Sequence, residues 1–251
     1  AINHGVENSL LEELIEVLKQ FFTLPLGEKL KCSPTDDILE GYGSEVVIQG
    51  LQLLAGMIGY FFHSPLRIKS TYNIGHKILR ISGKENKVIR KAMARSLGLD
   101  ENCIDVKKHG RTIARFTLYP HRPCPECVLR TTGHADRATI TYILLEKVVG
   151  GLHLMKDDQW YKASFIPGAL FINLGEIVKV MTNGLFKSVM DRVDTNSVKD
   201  RVSVTVFSAR KDDKIIEPLS ELVSVQKPQL YKKLKMPEHW SNFLTVLSMK
   251  G

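Results

Sequence analysis

The sequence predicts an α+β chain with a mainly β core, built as a sandwich, barrel or jelly roll and flanked by N-terminal and C-terminal helices. Three observations carry that prediction. The first part of the chain repeats its apolar residues at helical period, and from about Thr112 the texture changes to short runs rich in Val, Ile, Thr and aromatics. Gly, Pro, Asn and Asp separate those runs at the spacing of turns.

Taken in order, "ENSLLEELIEVLKQFFTLP" places Leu10, Leu11, Leu14, Ile15, Leu18, Phe21 and Phe22 on one helical face. Its acidic residues come early and Lys19 late, as a helix dipole prefers, and Pro25 stops it. A second helix is expected in "NKVIRKAMARSLGL", with Gly98 as its C-terminal cap. Strands are expected in "RTIARFTLYP", "ATITYILLE", "GGLHLMKDDQWYKAS", "ALFINLG", "EIVKVMTN" and "RVSVTVFSA", and "LMKDDQWYKA" reads as a hairpin around Lys156–Gln159. Helices are expected again from "SELVS" to "LYKKLK". The resulting division is a helical region over 1–108, a β core over 109–215 and a helical extension over 216–251, together one compact unit.

Composition excludes several classes of function. Of 251 residues, 43% are apolar and 25% charged, ordinary for a soluble globular protein. The net charge of +8 is scattered, without a basic block or interleaved aromatics, which argues for a solvated basic surface and against a nucleic-acid partner. The longest apolar run, near "LQLLAGMIGYFF", is too short to span a bilayer, so no membrane partner is expected. Cys124 and Cys127 form a Cys-x-x-Cys within "PHRPCPEC", but no second pair completes a zinc site and the prolines disfavour a redox helix. These two, with Cys32 and Cys103, read as thiols of a reducing compartment, and a cytoplasmic location is the default. The chain opens at "AINHGV" without Met, as if inside a domain, and shows no signal peptide.

The chemistry concentrates in "GHADRATITYILL". His134 and Asp136 stand two apart on an expected strand, which places both on one face. An imidazole nitrogen and a carboxylate oxygen begin the facial triad of non-haem Fe(II) oxygenases, which leaves coordination positions open. Alone, His-x-Asp is a weak signal.

The rest of the chain strengthens it. The segments "INHGV", "FFTLPLGEKLK", "EGYG", "ARFTLYP", "PCPECVL", "GHAD", "GGLHLMKDDQWYKA", "IPGALFINLGEIVKVMTNGLFKSVMDRV" and "DRVSVTVF" closely resemble the plant 2-oxoglutarate/Fe(II)-dependent dioxygenases, the family of flavonoid, hormone and alkaloid oxygenases. The resemblance covers nearly the whole chain. It implies a double-stranded β-helix (jelly roll), Fe(II), 2-oxoglutarate as co-substrate with ascorbate as an accessory reductant, a small-molecule substrate and a monomer. It matches His134 and Asp136 to the first two iron ligands. The third ligand of the family is a histidine in "SVxHRV"; this chain reads "SVMDRV", and Asp191 holds that position ten residues before Arg201. Arg201 and Ser203 match the residues that bind the 2-oxoglutarate C5 carboxylate, and a guanidinium fork beside a hydroxyl suits that task. Tyr119 matches a tyrosine that helps hold the same carboxylate. Thr117 stands where the family usually has Asn, and "FFHSPLRIKSTYNIG" is shorter than the family's Trp-Pro-containing stretch.

Asp191 opens three readings. Iron accepts carboxylate, so an oxygenase with a His/Asp/Asp set is chemically sound, although Asp reaches about 2 Å less far than His. A second carboxylate attracts a divalent ion but disfavours dianionic 2-oxoglutarate beside it and makes the metal a poorer Lewis acid. The leading expectation is an oxygenase that hydroxylates, demethylates or desaturates a small plant metabolite through an altered or weakened metal site. The alternatives are a dioxygenase-like protein catalysing a non-oxidative step, as in a norcoclaurine-synthase-like branch, or a silenced, binding-only protein. For Asp191 alone, a surface ion pair with Arg192 is the bland alternative.

Overall fold

A computed structural model describes residues 1–4, 6–32, 41–44, 58–63, 87–104, 110–121, 133–147, 149–210 and 215–235. Cys124 and Cys127 lie outside the described residues, as do most of the shortened stretch after Phe62 and residues 236–251.

The periodic first segment forms α1 (Asn8–Thr23), which buries Leu11, Leu14, Leu18 and Phe22. No acidic residue lies in its first turn and no basic residue in its last, so the expected dipole complement is absent. Lys19 instead leaves the helix surface to meet Glu146, Nζ to Oε1 2.6 Å. Pro25 stops α1 and caps the short α2 (Leu26–Leu30). Residues 87–96 form α3, which ends as "SLGL" predicts. Gly98, at φ +70°, donates its N–H to the Arg95 carbonyl, and Leu99 donates to Ala94. That pair of bonds is a Schellman closure, which needs a left-handed residue where Gly has no Cβ to clash.

Among the described residues there are twelve strands. They are β1 (Gly41–Ser44), β2 (Ile58–His63), β3 (Gly110–Tyr119), β4 (His134–Ala135), β5 (Ile140–Leu144), β6 (Leu152–Lys156), β7 (Gln159–Lys162), β8 (Phe171–Leu174), β9 (Met190–Val193), β10 (Arg201–Arg210), β11 (Ile215–Ile216) and β12 (Leu234–Lys235). Of these, β3 to β10 fall in the region where the sequence texture predicts them. The large sheet has the order β1-β2-β3-β10-β5-β8 and the smaller one β4-β9-β6-β7. From β3 to β10 the chain crosses repeatedly between the two antiparallel sheets, the path of a jelly roll. The predicted hairpin is β6–β7, turned by Asp157 and Asp158 at φ +50° and +58°, the two left-handed positions of a type I′ turn.

The core lies between α1 and the large sheet. Val202, Val204 and Val206 of β10 stand opposite Leu118, Phe116 and Ala114 of β3. The three valines, Phe116 and Ala114 join the buried cluster of Leu11, Leu14, Leu18 and Phe22. The opposite face of these strands carries Arg201 and Ser203, and alternation aims it into the roll.

Three expectations are corrected. "EIVKVMTN" is a helix, α4 (Glu176–Met181), although its β-branched residues favour a strand. The Asp136 carbonyl accepts the Glu176 N–H at 2.8 Å, and Ile177, Val178, Val180 and Met181 are buried, so tertiary packing overrides propensity. The expected strand through "GHADRATITYILL" is split between β4 in the small sheet and β5 in the large one. Gly175 packs so tightly on the intervening loop that a Cβ there would lie 1.9 Å from the Ala138 carbonyl oxygen. Finally, "SELVS" to "LYKKLK" forms no α-helix: Ser220–Leu222 is a single 3-10 turn, and Leu234–Lys235 pairs with Ile215–Ile216. Asn183 at the end of α4 accepts the Leu230 N–H and donates to the Pro228 carbonyl, so backbone groups that a helix would pair internally are used elsewhere. Among the described residues, no helix is long and apolar enough to cross a membrane.

Candidate metal and co-substrate site

The small sheet brings the three sequence-predicted ligands together. β4 and β9 pair so that His134 stands directly opposite Asp191. Asp136 lies one residue beyond β4, so a loop and not strand period returns its carboxylate to the histidine, with Oδ1 4.0 Å from His134 Nε2. One donor atom from each of His134, Asp136 and Asp191 lies within 4.8 Å of the others. Asp136 and Asp191 are buried and His134 is half-buried at the edge of the cluster. Arg192 lies over the Trp160 ring at 4.3 Å and pairs with Asp194, Nε to Oδ1 3.7 Å, in place of the ion pair considered for Asp191.

Two carboxylates buried this closely repel. Loss of solvent, with Asp136 adding to it, pushes the Asp191 carboxyl up to about 7, while His134 and an amide from Asn173 pull the other way. Asn173, on β8, was not anticipated from the sequence. Its Nδ2 donates to Asp136 Oδ2 at 3.1 Å and to Asp191 Oδ2 at 3.0 Å. The available signal was one amide inside the apolar run "ALFINLG".

The large sheet assembles the four residues expected at the co-substrate. β3 and β10 pair in register with Tyr119 opposite Arg201 and Thr117 opposite Ser203, so all four share a face. All four are buried. The Arg201 guanidinium lies 4.7 Å from the centre of the Tyr119 ring, and its Nη1 is buried without a hydrogen-bond partner among the described residues. A buried guanidinium holding an unused N–H suits an incoming carboxylate. Gly151, at φ +151°, lets the backbone close beneath it, since a Cβ there would lie 2.7 Å from the Asp194 carbonyl oxygen and 3.5 Å from Arg201 Cδ.

Glu146 supports this strand and was also unanticipated. β5 pairs with β10 only as far as Leu144 opposite Val204. Beyond that, the Glu146 side chain takes the place of a strand, with Oε2 accepting the Val202 N–H at 2.9 Å and Oε1 facing Lys19 of α1. The residue between Arg201 and Ser203 is thus tied to the N-terminal helix.

An imidazole and two carboxylates converging beside a buried arginine, serine and tyrosine fit Fe(II) and a keto-acid co-substrate by donor chemistry. Comparison with known proteins agrees. Residues 106–210 match the 2OG-Fe(II) oxygenase superfamily, and residues 1–52 match the N-terminal region described for the non-haem dioxygenase in morphine synthesis. The chain is 33% identical to jasmonate-induced oxygenase 4 of Arabidopsis thaliana over 96% of its own length and 72% of that protein. It is 32% identical to codeine O-demethylase of Papaver somniferum, over 92% and 68% respectively. The crystal structure of JOX2 in complex with 2OG, Fe and JA superposes with a TM-score of 0.87 at 30% identity, covering 98% of this chain and 76% of that one. The departure at Asp191 is therefore a change within a known site: this chain belongs to the 2OG-Fe(II) oxygenase superfamily and is a 2-oxoglutarate-dependent dioxygenase, an oxidoreductase.

Proposed function

We propose that this chain hydroxylates, demethylates or desaturates a small plant specialised metabolite through a His/Asp/Asp iron site. His134, Asp136 and Asp191 would hold Fe(II), and Arg201, Ser203, Tyr119 and Thr117 would hold the C5 carboxylate of 2-oxoglutarate. The observation that carries the reading is the β4–β9 register, which sets Asp191 across from His134. An aspartate that had left the site would have no reason to keep that position, buried and facing the other two donors.

Each residue has a defined task. The carboxylates of Asp136 and Asp191 and the imidazole of His134 bind and orient the cation. When bound, Fe(II) would let O₂, the oxidant, drive the family's coupled reaction, in which 2-oxoglutarate is oxidatively decarboxylated to succinate and CO₂ while an organic substrate is oxidised. The Arg201 fork neutralises the distal carboxylate, which matters more here because the metal donors already carry two negative charges. Ser203 and Thr117 offer hydroxyls across the β3–β10 pair, and the Tyr119 ring orients the guanidinium. The relatives include codeine O-demethylase and a flavonoid 7-O-demethylase, which favours an alkaloid-, flavonoid- or hormone-like substrate. We also read regions 1–108, 109–215 and 216–251 as one unit acting as a cytoplasmic monomer, without nucleic-acid or membrane partners.

The test is succinate release from 2-oxoglutarate with Fe(II), O₂ and a panel of methoxylated alkaloids, flavonoids and jasmonate-like acids. Release that depends on both Fe(II) and 2-oxoglutarate is expected with at least one substrate. Product formed without metal or O₂ would replace this reading by the non-oxidative one.

A further inference from the structure

We propose that Asn173 is the positioning residue that makes a two-carboxylate metal site workable in this chain. The assignment rests on the metal reading of His134, Asp136 and Asp191 and adds to it the residue that holds the pair. Asn173 is buried on β8, directly opposite Thr141 of β5, and its amide nitrogen reaches both carboxylates at once. The orientation of that amide is set by chemistry: turned over, its carbonyl oxygen would face two carboxylates, whereas the NH₂ carries two hydrogens for two acceptors.

The consequence is a shared geometry. Asn173 takes the Oδ2 of Asp136 and the Oδ2 of Asp191. That leaves the Oδ1 of each clear of the amide and biases both toward giving the cation one oxygen each. The two hydrogens also offset negative charge that would otherwise drive the carboxylates apart. A histidine at 191 would ligate through one nitrogen and offer no second oxygen, so the amide would then serve Asp136 alone. Asn173 should therefore matter most in a chain with aspartate at 191.

Isothermal titration with Co(II) alone, at fixed pH, tests this on four proteins: the unaltered chain, Asn173→Ala, Asp191→His and the double variant. Removing a group that orients ligands costs about 10–100-fold in metal affinity. That loss is expected from Asn173→Ala beside Asp191, with at most a several-fold loss beside a histidine, a non-additivity that a merely structural role would not produce. Asn173→Ser, with one hydrogen to donate, should fall in between, and it serves as the test if the alanine variant does not fold. Equal losses in both backgrounds, no loss or tighter binding would overturn the assignment while leaving the metal site standing. Failure of the unaltered chain to bind Co(II) would instead refute the metal reading, and the assignment with it.

Discussion

Glu146→Ala should be among the most costly single changes outside the metal cluster, and its cost can be worked from three groups. The Val202 N–H lies in a strand whose residue is 1% exposed and has the Glu146 carboxylate as its acceptor at 2.9 Å. Leaving a buried N–H unsatisfied costs about 1–3 kcal/mol. The ion pair to Lys19 adds little, because the lysine side chain is 42% exposed and such pairs are worth less than about 1 kcal/mol. The sum is about 1–4 kcal/mol, which for a chain of this size lowers the melting temperature by about 2–16 °C. Glu146→Gln keeps an acceptor and should cost about 1 kcal/mol or less. Thermal unfolding followed by circular dichroism at one pH and ionic strength measures both, with Lys19→Met as the control for the ion pair. If the glutamine variant falls as far as the alanine variant, the hydrogen bond to Val202 is not what Glu146 supplies. If the alanine variant unfolds within about 1 °C of the unaltered protein, β10 does not depend on it at all.

Arg201→Met should weaken 2-oxoglutarate binding by about 10–100-fold, the loss of a charge-assisted pair, with Arg201→Lys falling between because an ammonium lacks the planar fork; titration of the metal-loaded protein reads this. Without metal, the protein should lose stability as pH rises from about 4 to about 7. Burial raises the Asp191 carboxyl to about 7 in the folded state, so the folded chain binds the extra proton in that window and deprotonation favours unfolding. Denaturant melts at several pH values check this, and Asp191→Asn should flatten the dependence. Gly175→Ala should destabilise by several kcal/mol, because a Cβ 1.9 Å from the Ala138 carbonyl oxygen forces the loop that carries Asp136 to move; reduced Co(II) affinity is expected along with the lower melting temperature.

Much of this protein is decided within a few residues of chain, and those parts could be read from the sequence. The face of α1, the Gly98 closure of α3 and the Asp157–Asp158 hairpin each depend on local periodicity or on one left-handed turn. The resemblance to the dioxygenase family, with Asp191 ten residues before Arg201, likewise pointed to Asp191 as the third-ligand candidate before any contact was known. The parts that could not be read are long-range. "EIVKVMTN" prefers a strand by its side chains and becomes a helix because the Asp136 carbonyl caps it and the core buries it. Around Pro228 and Leu230 the expected helix gives way to hydrogen bonds with Asn183.

The site divides in the same way. Residue types and spacing named His134 and Asp136, and the resemblance to the dioxygenase family added Asp191, Arg201, Ser203, Tyr119 and Thr117. Only the pairing of β4 with β9 turned Asp191 toward His134, and only the end of β5 at Leu144 gave Glu146 its strand-like role. Asn173 is 37 residues from Asp136 and 18 from Asp191, and no local pattern announces an amide shared between them. Sequence alone determined which groups are available for chemistry. Tertiary structure decided which are buried together, and in a low-dielectric interior that proximity governs both their charge and what they can hold.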